Sequence, residues 1–151
     1  MMTREEFIEV LKKKGHSYKM EGNKVTITND RHIYSALVTS LPPGVMFINN
    51  GDVGFRYLTS ISSGVEFRNK GNVHLPSLTS LPPGVVFKNM GSIWLESLTS
   101  IPPDVEFNNG GGVNLGSLIG GWFEYWKGNI EGIDSKRLLN VMISIGIFNR
   151  R

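Results

Sequence analysis

Glu66 and Glu106 stand in identical V-E-F triplets. If these triplets lie two strand spacings apart, the carboxyls are about 9.6 Å from each other. That is near the upper end of the separation used by an inverting glycosidase pair. The same chemistry needs a cleft, and a flat strand flank does not offer one. The three histidines, His16, His32 and His74, lack the H-x-x-x-H spacing that sets two imidazoles on one metal. N-N-G-G-G at 108–112 is glycine-rich like a phosphate loop but has no Lys-Ser/Thr step. The chain contains no Cys, which excludes disulfides, thiolate metal sites and a Cys nucleophile. No catalytic residue, metal or cofactor is assigned, and the expectation is a protein that is not an enzyme.

Binding chemistry is better represented. Trp94 stands in alternating sequence with Glu96, and Arg56 and His74 occupy the equivalent stretches of earlier units. An outward Trp flanked by Arg and Glu is the composition of an interface hot spot. Arg68 and Lys88 occupy a second outward column and supply positive charge. The net charge is +3, and the basic residues are spread out apart from Lys12, Lys13, Lys14 and the terminal Arg150 and Arg151. A nucleic-acid binder concentrates such residues on one face. Lysines in a last helical turn have their own explanation, because they complement the helix dipole.

What positions these residues is a repeat. At a period of 20 residues the chain aligns without gaps over 38–57, 58–77, 78–97 and 98–117. The consensus is L-T-S-(L/I)-P-P-G-V-x-F-x-N-x-G-x-V-x-L-x-S. Val25, Ile27, Asn29 and Ile33 fall in the columns of Val45, Phe47, Asn49 and Val53, so 25–37 is a degenerate unit. Each unit carries two alternating stretches, V-x-F-x-N and V-x-L-x-S. Alternation with period two predicts strands with the constant side buried. Gly51, Gly71, Gly91 and Gly111 separate the strands, where a corner is expected to need positive φ. The Pro-Pro pairs at 42–43, 82–83 and 102–103 predict corners rather than ladder positions. Asn49, Asn69, Asn89 and Asn109 are expected to form a ladder in which each amide bonds the next. Ser77, Ser97 and Ser117 are expected to stack likewise.

The motif L-x-S-L-T-S-L-P-P-G-V resembles the strand and turn of short, Leu-Pro-containing bacterial leucine-rich repeats over 38–118, and weakly over 25–37. Two features depart from that family. A Ser or Tyr stands where the Asn after the strand is usual, and V-x-F-x-N looks like a second strand. The whole chain resembles phage and gut-bacterial repeat proteins with "LTSLPPGVxFxNxG" units between a short helix and a closing segment. The resemblance implies protein binding. It further implies a phage or mobile-element inhibitor that sterically blocks a bacterial defence protein in the host cytoplasm.

The ends read as caps. Thr3 and Glu6 form a capping box, Phe7, Ile8 and Leu11 give the helix an apolar side, and Gly15 stops it. A hairpin turning at Gly22-Asn23 follows. Asp134 is the expected N-cap of a helix from Ser135 to about Ile145, ended by Gly146. Trp122, Phe123, Tyr125 and Trp126 read either as a plug on the last coil or, through Trp122 and Trp126, as a binding patch.

The predicted fold is therefore mainly β, a right-handed or leucine-rich-repeat-like solenoid of about five 20-residue coils. It comprises one structural domain, with an N-terminal helix-and-hairpin cap at 1–24, repeats at 25–118, and an aromatic segment with a capping helix at 119–151. The partner-binding set is Arg56, His74, Trp94, Glu96, Arg68, Lys88, Trp122 and Trp126. The expected partner is a bacterial protein. A nucleic-acid-binding solenoid and a phage assembly protein are the alternatives. No apolar run approaches the ~18 residues of a membrane span, and the N-terminus lacks a signal-peptide block, so the expectation is a cytoplasmic protein.

Overall fold

The computed structural model describes residues 1–102, 104–116, 118 and 135–144. Helix α1 (Arg4–Lys13) begins at Thr3, whose hydroxyl accepts the Glu6 N–H at 3.1 Å. It ends before Gly15, which takes φ of 71°. Strands β1 (Tyr18–Glu21) and β2 (Lys24–Ile27) form an antiparallel hairpin that turns at Gly22, where φ is 61°.

Every later strand is parallel to its counterpart one period on. The first sheet stacks β2, β5 (Val45–Phe47), β8 (Glu66–Phe67), β10 (Val86–Phe87) and β12 (Glu106–Phe107). The second stacks β3 (Ile33–Tyr34), β6 (Val53–Gly54), β9 (Val73–His74), β11 (Ile93–Trp94) and β13 (Val113–Asn114). The registers pair Val25 with Val45, Phe47 with Phe67 and Val53 with Val73, so one coil lies directly on the last. The result is a β-solenoid of about four turns, a helix at each end. The degenerate unit contributes its two strands as the first rung of each sheet. A third side, unexpected from the sequence, pairs β4 (Ser40–Leu41) with β7 (Ser60–Ile61) in the first two full coils.

The core is a set of columns. Phe47, Phe67, Phe87 and Phe107 are buried, with successive ring centroids 5.2, 5.3 and 5.3 Å apart. Burying each such side chain contributes about 2–3 kcal/mol. Val45, Val65, Val85 and Val105 form a second buried column, and Leu75, Leu95 and Leu115 a third. Phe7, Val10 and Leu11 of α1 join the core at one end. At the other end, Leu138, Leu139, Met142 and Ile143 of helix α2 (Ser135–Ser144) do the same. Asn140 of α2 closes the last rung of the first sheet. Its Oδ1 accepts the Phe107 N–H at 3.0 Å and its Nδ2 donates to the Phe107 carbonyl at 3.4 Å, as a further strand would. Asp134, Ile145 and Gly146, and the aromatic segment with Trp122 and Trp126, lie outside the described residues.

Three expectations about the corners need correction. Positive φ belongs to Gly44, Gly64 and Gly84, at 80°, 81° and 81°, which follow the Pro-Pro or Ser-Ser step. That is the φ a type II turn demands at its third residue. Gly51, Gly71, Gly91 and Gly111 are instead glycine because coils touch there. A Cβ on Gly71 would lie 2.7 Å from the Gly51 carbonyl carbon, and one on Gly91 2.7 Å from that of Gly71. The Asn column does not bond amide to amide. Asn69 Nδ2 donates to the carbonyls of Gly51 at 3.0 Å and Asn72 at 3.1 Å, and Asn109 Nδ2 to those of Gly91 and Gly111. The carbonyls of Gly51, Asn72 and Gly91 already accept a backbone N–H, so the amide is their second donor and ties corner to corner. Ser77 and Ser97 likewise donate to the carbonyls of Arg56 and Pro76 in the coil before, while Ser117 lies outside the described residues.

These two uses of glycine predict different costs. Gly71→Ala should lose more than about 2 kcal/mol in urea unfolding, because backbone must move. Gly64→Ala, in open space, should lose only the left-handed strain of about 1–2 kcal/mol. Equal stability of Gly71→Ala and the wild type would remove the close-contact explanation.

The N-terminal cap carries a pH signature. Both ring nitrogens of His16 are buried, and burial, then the Arg31 charge, holds its pKa below the ordinary value against a smaller opposing effect of the Asn29 side chain. The unfolded chain therefore binds this proton more readily than the folded one. Its stability contribution is complete above ~6.5 and is lost as pH falls from there toward the lower folded pKa. The unfolding midpoint should drop between about pH 7.5 and about pH 5, and His16→Gln should drop less. Identical slopes would contradict this.

Candidate functional site

The outward side of the second sheet carries Tyr34, Gly54, His74, Trp94 and Asn114 in one column, each on its own rung. Strand alternation turns these positions away from the core while Ile33, Val53, Val73 and Ile93 face in. Gly54 explains the pose of Tyr34. A Cβ at 54 would lie 2.6 Å from Tyr34 Cδ1, so the ring lies down across the empty position. Its hydroxyl then donates to Asp52 Oδ2 at 2.7 Å. Two coils on, His74 packs edge-on against Trp94 with ring centroids 5.9 Å apart. His74 Nε2 also lies 3.5 Å from Glu96 Oε1. Tyr34, Gly54, His74 and Trp94 thus form a strip along the solenoid axis, rimmed by Arg56 and Glu96.

Beside the strip runs a ladder that holds it. Asp52 N–H donates to His32 Nδ1 at 2.9 Å. Asn72 N–H donates to Asp52 Oδ1 at 2.8 Å, Ser92 N–H to Asn72 Oδ1 at 2.8 Å, and Gly112 N–H to Ser92 Oγ at 3.2 Å. Each residue in this column accepts the backbone N–H of its counterpart one coil later. Burial pushes the Asp52 carboxyl up, but the Asn72 N–H, the Tyr34 hydroxyl and His32 outweigh it, and the net pKa lies below the ordinary value. Partial burial, with Asp52 as hydrogen-bond and charge neighbour, pushes the Tyr34 phenol up to about 12.

Two shallow depressions flank the strip. One of about 280 Å³ is bounded by Asp52, Asn72, Trp94 and Glu96. The other, about 470 Å³, has Gly54, Phe55 and Pro76 in its floor and Lys14 and Arg56 at its edge. Tyr34 and His74 border both.

Of the expected binding residues, Arg56, His74, Trp94 and Glu96 share this face. Arg68 and Lys88 follow strands β8 and β10 of the other sheet, and Arg68 Nε lies 2.7 Å from Glu66 Oε2. Glu66 and Glu106 align on that sheet with Val86 between them. Trp122 and Trp126 lie outside the described residues. Among the described residues, no three His, Asp or Glu side chains converge as a metal site requires, and no helix is long and apolar enough to cross a membrane. The sequence reasoning missed Tyr34, Asp52 and Asn72 as parts of the site. The available signal was the column His32, Asp52, Asn72, Ser92, whose members differ in type but all present a side-chain acceptor close to the backbone.

Asp52→Asn keeps that acceptor, as Asn72 does one coil on, whereas Asp52→Ala removes it. At pH 7 the Ala variant should lose about 1–3 kcal/mol and the Asn variant less than about 1. Because the folded pKa of Asp52 is depressed, its contribution is present above ~3.9 and is lost as pH falls through the folded value. The acid limb of the stability curve should therefore flatten in Asp52→Asn. Ala and Asn variants of equal stability at pH 7 would sink the ladder account.

Comparison with family models, with curated proteins and with solved structures found no match, so the interpretation of this face rests on its own residues.

Proposed function

We infer that this chain is a non-enzymatic protein-binding module and that the outward face of its second sheet meets the partner. The observation that carries this is the strip of Tyr34, His74 and Trp94 on consecutive or alternate rungs, with Arg56 and Glu96 at its rim. Large rings bury much area at little entropic cost, and Trp, Tyr and Arg are the residues that dominate interface energetics. Their backbone is already fixed by the parallel ladder, so little order is lost on docking. In line with the resemblance of its repeats, we assign the chain to a phage or mobile element. Its target is then a bacterial defence protein in the host cytoplasm, blocked sterically. With a net charge of +3 it does not act as an acidic nucleic-acid mimic.

The test is affinity capture from bacterial lysate with wild type, Trp94→Ala and Lys88→Ala, read by mass spectrometry. A protein recovered by wild type should fall roughly 30-fold with Trp94→Ala, the loss of one hot spot of about 2 kcal/mol. Lys88→Ala, on the other sheet, should recover it unchanged. If Trp94→Ala recovers every partner as well as wild type does, the face is misassigned. Salt-dependent binding of DNA or RNA in place of a protein would favour the nucleic-acid alternative.

A further inference from the structure

We propose that the larger depression on this face receives an extended, acidic peptide segment of the partner, laid along the free edge of β3. The proposal rests on the protein-binding reading and adds the chemistry and conformation of what binds.

Charge comes first. Lys14 and Arg56 stand at the border of this depression and neither has a carboxylate partner among the described residues. Arg56 instead lies 5.6 Å from the exposed Tyr57 ring. No Asp or Glu lines the depression. The carboxylates of this face, Asp52 and Glu96, line the smaller depression instead. Asp52 accepts from Tyr34 and from the Asn72 N–H, and Glu96 sits beside His74. The charge at the border of the larger depression is therefore positive and comes from Lys14 and Arg56. Gly54, Phe55 and Pro76, which also line the depression, are non-polar and accept an apolar side chain.

The backbone supplies the second, independent observation. Ile33 N–H donates to the Asp52 carbonyl at 2.8 Å and Ser35 N–H to the Gly54 carbonyl at 3.3 Å. In a parallel ladder alternate residues point their backbone groups to opposite sides. The N–H and C=O of Tyr34 thus face away from the next coil. β3 is the edge of its sheet, and among the described residues nothing pairs with that side. The equivalent edge of the first sheet is closed by β1. An extended segment beside β3 would exchange backbone hydrogen bonds with Tyr34 and place alternate side chains over the cationic depression. A compact anion would satisfy the charges but not the strand edge.

The experiment measures fluorescence anisotropy of fluorescein-labelled peptides alternating Glu with Val, Lys with Val, and Ser with Val. A short single-stranded oligonucleotide with the same label is the fourth probe. The Glu-Val peptide should bind at low salt at least roughly tenfold more tightly than the other three probes. Lys14→Glu and Arg56→Glu should each weaken it roughly tenfold and shift preference toward Lys-Val. Both side chains are at the surface, and Arg56→Gln, checked by its unfolding midpoint, guards against a folding defect. Equal binding of Ser-Val, equal binding of the oligonucleotide, no binding of Glu-Val, or indifference to the charge reversals would each overturn the proposal. A captured partner that depends on Trp94 while no peptide binds would leave the protein-binding reading standing and remove this one. Glu-Val binding that depends on Arg56, without any Trp94-dependent partner, would do the reverse.

Discussion

Every coil of this chain must be compatible with a copy of itself one strand spacing away, about 4.8 Å along the axis. That condition decides which side chains can face in. An aromatic ring can meet its own copy if the rings are parallel, and Phe47, Phe67 and Phe87 do so with interplanar angles of 6° and 5°. A branched aliphatic chain packs on its copy in any column. A charged group cannot, because like charges would stack in a low-dielectric interior. The inner columns are therefore uniform, and the uniformity follows from stacking rather than from any action on a partner. The same condition sets the glycines at 51, 71, 91 and 111, where backbone meets backbone and no Cβ fits.

The corner shows that a varying column is not always a free one. His32, Asp52, Asn72 and Ser92 differ in size and charge, yet each accepts the next coil's N–H with a side-chain nitrogen or oxygen. What is held constant is an acceptor at a given reach from the backbone, a property that several residue types share. The last described member of the column is Gly112, which has no side-chain acceptor. That is also the coil after which the repeat pattern fails.

Much of the architecture was legible because a strict period converts local alternation into a three-dimensional stack. Strand positions, register, the hairpin at Gly22 and the N-cap at Thr3 all follow from spacing and residue type. Other features were not legible, for identifiable reasons. Glycine serves both positive φ and close contact, and composition does not separate Gly64 from Gly71. The amide of Asn69 was expected to meet its own kind, but corner carbonyls have a stronger claim on a buried donor. Gly54 puts no side chain in the outward column, and only the pose of Tyr34 reveals that the space is filled. Arg56, His74, Trp94 and Glu96 fall on one face because alternation assigns it. Arg68 and Lys88 fall on the other sheet by the same rule.

A stack of parallel strands also has ends, and each end is a hazard for uncontrolled pairing. The chain solves this differently in each place. An antiparallel strand covers the first rung of the first sheet, and the Asn140 amide imitates a peptide group on its last described rung. The first rung of the second sheet has no such cover among the described residues. It is protected by brevity and charge instead. β3 is only two residues long, and Lys14 stands beside it. Arg31 is held there by donating to the carbonyls of Lys14 and Gly15 at 3.0 and 3.1 Å. Positive charge beside an open edge repels another copy of the same edge while leaving it open to a segment of opposite charge. The same charge that would oppose pairing with a second copy would favour the acidic segment proposed for this edge.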